Sequence, residues 1–323
     1  MRRATPARAK RLVPQSVKDR LLGTQTGLPP LPSYDELSRL MLRYQTKDLV
    51  NVDAASFRAR IDSFLELTDH EMEGFAHPGE QRDLSVRFHW GHDHDFGEFF
   101  VPGVLGDRHV TLVAALVDWL HVLPRSPTGL KVLDIGSWTG GTSLLLHAMG
   151  AEVVAVEEVR KYAESLDYLR YAFGLDGLES RAASLYECTG PELQDAFDAV
   201  LFAGVLYHVT DPVLALRIVF NCLRDGGQCV IETAVTHSTD RILGYEGPSV
   251  ILGGSEEDLS RSGWNWFLPT PTTLRQMCLD VGFADVSLSK VIESSGLKRI
   301  YAIAHRDRHN DLTRAGLSVR AIR

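Results

Sequence analysis

The stretch KVLDIGSWTGGTS, Lys131–Ser143, decides the fold. KVLDIG (Lys131–Gly136) is a short, largely apolar run that ends on glycine. That combination reads as a buried strand followed by a tight turn, because glycine alone tolerates the backbone angles of many turns. Gly140–Met149 follows as a helix, with Gly150 as its stop signal. EVVAVE (Glu152–Glu157) is a second strand and Tyr162–Phe173 a second helix. FDAVLFAG (Phe197–Gly204) is a strand, Pro212–Leu223 a helix closed by Asp225-Gly226-Gly227, and QCVIETAV (Gln228–Val235) the next strand. Strands that alternate with helices of this length form a parallel sheet with helices on both faces. Their near-continuous Val, Ile and Leu content fits burial on both sides.

The chain ends differently. Thr270–Val281 reads as a helix stopped by Gly282. ADVSLSKVI and RIYAIAH then flank Ser294-Ser295-Gly296-Leu297, the pattern of an antiparallel hairpin. The expected fold is α/β: a doubly wound, mostly parallel, seven-stranded, Rossmann-like sheet with a C-terminal antiparallel hairpin. A parallel sheet finished in this way resembles the methyltransferase fold.

Upstream, Tyr34–Tyr44 and Ala54–Leu67 have helical spacing, with Ser33 as a candidate N-cap. His70–Gly106 has little periodicity and reads as irregular structure closing over a site. Val110–Leu123 reads as a helix packed on the next domain. Four divisions follow: a basic arm and linker (1–33), a helical and irregular accessory region (34–129), the sheet domain (130–307) and a tail (308–323).

Composition narrows the function. A hydrophobic share of 44% with 24% charged residues is that of a soluble globular chain. No apolar run is long enough to span a membrane, so a cytoplasmic protein with no membrane partner is expected. The net charge of −8 argues against broad non-specific nucleic-acid binding, although the basic first twenty residues leave room for a transit peptide, an RNA-touching arm or a solvated terminus. The four cysteines, Cys188, Cys222, Cys229 and Cys278, form no CxxC pair and suit reduced, buried thiols. Nothing in the sequence specifies the oligomeric state.

The turn itself is G-x-x-x-G-G, not the G-x-G-x-x-G that packs a pyrophosphate against a helix. With Asp134 at the strand's end, it suits the amino-acid end of S-adenosylmethionine, which carries no phosphate. Asp134, Gly136, Ser137 and Gly140 are therefore the candidate residues of the cofactor turn. Glu157, about twenty residues on, is placed to accept hydrogen bonds from both ribose hydroxyls, with Glu158 as its rival. Ala183-Ser184-Leu185-Tyr186 falls where the adenine would lie.

KVLDIGSWTGG, VVAVE, FDAVLFAGVLYHVTDPVLAL and GGQCVIET together resemble class I methyltransferases. FAGVLYHVTDP with WNWFLPTPTTLRQMCLDVGFADV resembles more narrowly the CmoB-like family, which modifies the wobble uridine of tRNA with carboxy-S-adenosylmethionine. The resemblance covers roughly Leu130–His305. It implies that Gly136 is the cofactor-turn glycine, Glu157 the ribose ligand, Leu185 and Tyr186 the adenine-flanking pair, and Ala203 and Tyr207 cofactor-lining positions. Arg299 falls near the family's late arginine, a match that Lys298 contests. That family also uses lysines ahead of the sheet domain, and none occurs here between Lys47 and Lys131. A carboxylate in a closed site needs a cationic partner. Arg82, Arg87 and Arg108 are the substitutes at hand. Plain S-adenosylmethionine is therefore the expected donor and carboxy-S-adenosylmethionine its alternative.

The expected reaction is methylation of an oxygen or nitrogen on a small-molecule acceptor. Alkyl transfer to tRNA is one alternative, and a non-catalytic cofactor-binding partner protein is the other. His208, just past the strand Phe197–Gly204, is a candidate base or a packing residue under the cofactor. RFHWGHDHDFGEFF (Arg87–Phe100) admits three readings: a metal site, for which no standard spacing exists, an acceptor pocket that supplies the base, or a polar surface loop. His92 and His94 are its catalytic candidates, with Arg87, His89 and Trp90 as acceptor-binding ones. Trp264 and Trp266 precede the last helix and offer rings for stacking on an acceptor, or simple packing.

Overall fold

The computed structural model describes residues 30–66, 88–236, 238–245, 266–294 and 297–307. The central sheet is built on β3 (Lys131–Ile135), β4 (Glu152–Glu157), β5 (Leu178–Ala182), β6 (Phe197–Ala203) and β7 (Leu223–Ala234). These pair in parallel in the order β5-β4-β3-β6-β7. β12 (Leu297–His305) then pairs antiparallel with β7, and both β10 (Asp285–Leu288) and β11 (Ile292–Ser294) pair antiparallel with β12. The doubly wound sheet with its antiparallel close is thus the one expected, except that β11, beside β12, adds an eighth strand to the seven expected. The bounds of β4 are those expected, and β3 and β6 each stop one residue short of the glycine that ends them.

Each strand's apolar residues enter one of two cores. On one face α4 (Gly141–Met149) and α5 (Arg160–Phe173) pack through Leu144, Leu145, Leu146, Leu166 and Leu169. On the other face α6 (Pro212–Cys222) and α7 (Pro271–Val281) pack through Leu216, Val219, Leu274 and Cys278. Burial pushes the Cys278 thiol up to about 12, in keeping with inert, reduced cysteines. Among the described residues no helix is long and apolar enough to cross a membrane.

The N-terminal region shares the first core. It contributes α1 (Tyr34–Leu40), α2 (Ala54–Leu65), the two-residue strands β1 (His94–Asp95) and β2 (Phe100–Val101), and α3 (Arg108–Asp118). Phe57, Phe64, Phe88, Trp90 and Phe96 join Phe173 and Leu166 in one cluster. Ser33 does not cap α1 with its side chain. Its hydroxyl donates instead to Asp118 Oδ2 at 2.7 Å, which ties the chain's entry to the end of α3. The last described ribbon is β8 (Leu243–Tyr245) against β9 (Phe267–Pro269).

Candidate active site

The order of the strands opens a crevice where β3 has β4 on one side and β6 on the other, at their carboxyl ends. A cleft of about 490 Å³ occupies that position. Its base is the turn after β3. Gly136 sits at φ +76°, and its N–H is latched to the Val156 carbonyl at 2.9 Å. A side chain there would meet Val205 Cγ2, so only a bare backbone fits. Beneath it, Asp134 is buried and accepts a 2.6 Å hydrogen bond from Ser143 Oγ on α4. Burial raises the Asp134 carboxyl to about 6, against the pull of that hydroxyl.

Glu157 ends β4 and faces the cleft. One of its oxygens accepts from the Trp138 N–H at 2.8 Å and the other from the Val159 N–H at 2.9 Å. Burial raises its pKa, and these two N–H groups oppose the rise. Leu185 and Ala183 line the far end.

The opposite end is charged. Ala203, Gly204, Val205, Tyr207 and His208 enter from β6 and the turn that follows it. Glu232 on β7 is 3% exposed. In the register Tyr301 lies opposite Glu232, and Arg299 opposite Ala234, so all four share one face. Arg299 Nη1 donates to both Glu232 oxygens, at 2.8 and 3.1 Å, and to the Tyr207 hydroxyl at 3.3 Å. Arg108, from the first turn of α3, reaches Glu232 Oε1 at 3.2 Å. Two guanidinium groups therefore flank one carboxylate. Burial raises the Tyr207 phenol, with the Arg299 charge opposing, so it is a neutral hydroxyl at physiological pH.

The structure sorts the expected residues. Asp134, Gly136, Ser137, Glu157, Leu185, Ala203, Tyr207, His208, His89, His92 and Arg299 all line the cleft. Gly140 does not: its φ of +81° lets α4 begin where a side chain would strike Leu166. Tyr186 turns away, and its hydroxyl accepts the Asp211 N–H at 3.1 Å, ahead of α6. His94 and Trp90 belong to the aromatic core, with His94 stacked on Phe96 at 3.9 Å between ring centres. Burial holds His94 neutral, down to about 3, and removes it as a catalytic candidate. Trp266 is off the cleft wall, its N–H donating to the Tyr207 carbonyl at 2.8 Å. His208 is exposed at the rim, its ring 4.0 Å from that of Tyr207. Arg82, Arg87 and Trp264 lie outside the described residues.

The histidine-rich stretch resolves by alternation. Phe88, Trp90, His92, His94 and Phe96 are all buried, while Asp93 is half-buried and Asp95 exposed. Gly91 is buried as well, and from His92 to Phe96 the side chains alternate inwards and outwards, so the stretch packs into the core and is not a surface loop. No group of three or more metal-ligating side chains occurs among the described residues. Sequence reasoning missed His109, Glu232 and Tyr301. A carboxylate inside the buried run CVIETAV was the available signal for Glu232.

The cleft fits an S-adenosylmethionine-like ligand on its own terms. A bare-backbone turn faces it, and two buried polar atoms on that turn, Ser137 Oγ and Trp138 Nε1, have no protein partner. Such atoms cost roughly 1–3 kcal/mol each unless a ligand or water satisfies them. A family profile described as "Methyltransferase domain" matches residues 107–288, more than half of the chain. The chain belongs to this methyltransferase family. Its sheet has the fold of a class I methyltransferase domain.

Among curated relatives, this methyltransferase is 29% identical over 192 residues to the tRNA U34 carboxymethyltransferase of Pseudomonas aeruginosa, covering 54% of this chain and 53% of that protein. It is 30% identical over 172 residues to the protein of the same description from Cellvibrio japonicus, covering 51% and 49%. The chain therefore spans about half the length of the curated relatives it matches. Its fold is similar to the N-terminal domain of EvdMO1, solved in the presence of SAH and D-fucose, with a TM-score of 0.56 at 15% identity over 79% of this chain and 97% of that one.

Proposed function

We propose that this methyltransferase moves a methyl group from S-adenosylmethionine to an oxygen or nitrogen of a small-molecule acceptor that carries an anionic group. The observation behind the reading is the Arg108–Glu232–Arg299 cluster. Its two guanidinium groups and one carboxylate leave one net positive charge at the end of the cleft. The donor supplies an electrophilic methyl group on a positively charged sulfonium. A sulfonium beside an uncompensated cation is unfavourable at short range. One anion completes the charge balance, and a planar guanidinium suits a carboxylate or phosphate.

In this reading Gly136 and Ser137 carry the donor's central part, Glu157 takes its ribose hydroxyls and Leu185 packs on its adenine. Tyr207 and Arg299 hold the acceptor's anionic group. The acceptor's lone pair forms the new bond to the methyl carbon as the sulfur–carbon bond breaks. Positioning supplies much of the rate in such an in-line displacement. His208, at the rim beside Tyr207, takes the acceptor's proton.

A second reading has a specific observation in its favour. Arg299 and Tyr207 fall where the resemblance places the late arginine and fourth-strand tyrosine of the wobble-uridine enzymes, and Arg108 supplies a cation where the lysines are missing. The anion would then be the carboxylate of carboxy-S-adenosylmethionine, and the acceptor tRNA. Matched acceptor pairs with and without a carboxylate or phosphate distinguish the two, with S-adenosylmethionine as donor. The proposal expects at least tenfold higher kcat/KM for the anionic member. Equal rates for both members contradict it, and tRNA alkylation with the carboxylated donor alone establishes the second reading.

A further inference from the structure

His92 and His109 form a buried pair that the reading above does not use. Their rings stand 4.6 Å apart at 54°. The two residues come from different segments, joined by a short backbone ladder. The Val104 N–H donates to the Trp90 carbonyl, the Leu105 N–H to Gly91 and the Asp93 N–H to Gly106, each at 2.9 Å. Gly91 is tied in turn to the cofactor turn, its N–H donating to Thr139 Oγ1 at 2.9 Å. The ladder presses His92 onto α4. Its Nδ1 lies 2.6 Å from where a side chain on Gly141, the first residue of α4, would begin.

Both rings line the cleft, with His92 9% and His109 3% exposed. His92 Nδ1 and both ring nitrogens of His109 have no protein partner. Burial lowers both pKa values, that of His109 to about 4, so each free ring is neutral at physiological pH and offers one N–H donor and one acceptor. Three unpartnered nitrogens in one corner of a cleft call for a polar ligand or for water. The corner is also the amino end of α4, which no side chain caps, since Gly140 has none to give. Free N–H groups and the helix dipole at such an end favour a negative group. Asp134, which also lines the cleft, is suited to an ammonium group.

Building on the donor placement proposed above, we propose that His92 and His109, with the uncapped first turn of α4, seat the α-carboxylate of the donor's amino-acid end, while Asp134 faces its α-ammonium group. The pair is thus a positioning and selectivity element for a zwitterionic amino-acid moiety, with Arg108 of the arginine cluster as the neighbouring cation whose charge acts on His92.

Calorimetric titration of the full chain tests this without any acceptor. The ligands are S-adenosylmethionine and its decarboxylated analogue, which lacks only the α-carboxylate. The wild type is expected to bind the analogue at least tenfold more weakly. His109→Leu and His92→Leu should weaken S-adenosylmethionine binding about tenfold and leave analogue binding within about twofold, so the discrimination collapses. His109→Gln keeps a neutral donor and should retain most of the discrimination, which guards against a variant that merely folds poorly. Unchanged discrimination in both leucine variants overturns the inference and leaves the donor site standing. Failure of the wild type to bind either ligand overturns the donor site and the inference together.

Discussion

The two ends of the cleft are held together over very different distances along the chain. At the turn end, Ser143 reaches Asp134 across nine residues and the Trp138 N–H reaches Glu157 across nineteen. One strand–turn–helix–strand unit supplies both of these contacts. At the arginine end, Arg108 meets Glu232 across 124 residues and Arg299 meets Tyr207 across 92. That end exists only when α3, β6, β7 and β12 are all in register. The turn end is therefore a local device for a ligand of fixed shape. The arginine end is a product of the whole fold, where the acceptor or the donor's extra group is selected.

The comparison can be broken from either side. The largest effect is expected at the turn. Gly136→Val puts a side chain into Val205 at a φ of +76° and should abolish donor binding, with no heat detected at millimolar ligand. Measurable binding within tenfold of wild type would mean that the ligand does not contact this turn.

Next comes the arginine end. Arg299→Ala leaves Glu232 buried without its principal partner, and breaking a buried pair costs about 3–5 kcal/mol. Thermal or denaturant unfolding should show that loss, and acceptor turnover should fall further than donor affinity. A variant of wild-type stability and turnover would remove the cluster from the account.

Acid comes third. His109 is near 4 in the folded chain against about 6.5 when unfolded, so the neutral form is favoured by folding. Its contribution is fully present above about pH 6.5 and is lost as pH falls towards 4, roughly 3 kcal/mol in all. Denaturant midpoints measured across that window should fall less steeply in His109→Gln than in wild type. Parallel curves would show that His109 is not buried neutral.

The smallest effect sharpens the turn end. Glu157→Ala should weaken donor binding by about 1–3 kcal/mol through a lost charged hydrogen bond, whereas Glu158→Ala should change it little. The reverse order would hand the ribose role to Glu158, which is exposed at the same rim.

The same contrast explains what the sequence made legible. β3, β4 and β6 are apolar runs punctuated by glycine, so their positions and the turn between β3 and α4 could be read locally. β5 could not, because LESRA is a polar edge strand with only Leu178 buried. Nor could β8 and β9, each three residues long. Within the histidine-rich stretch the polar side chains mask the burial of His92 and His94 beside Phe88, Trp90 and Phe96. Glu232 and His109 became visible only with the register of β7 on β12 and the ladder that sets α3 over α4.

The most direct test of the account is a parallel calorimetric titration of the wild-type chain with S-adenosylmethionine and carboxy-S-adenosylmethionine. The account predicts that the plain donor binds at least as tightly as the carboxylated one, with the arginine cluster reserved for the acceptor. A tenfold or greater preference for the carboxylated donor would contradict it and assign Arg108 and Arg299 to the donor's own carboxylate.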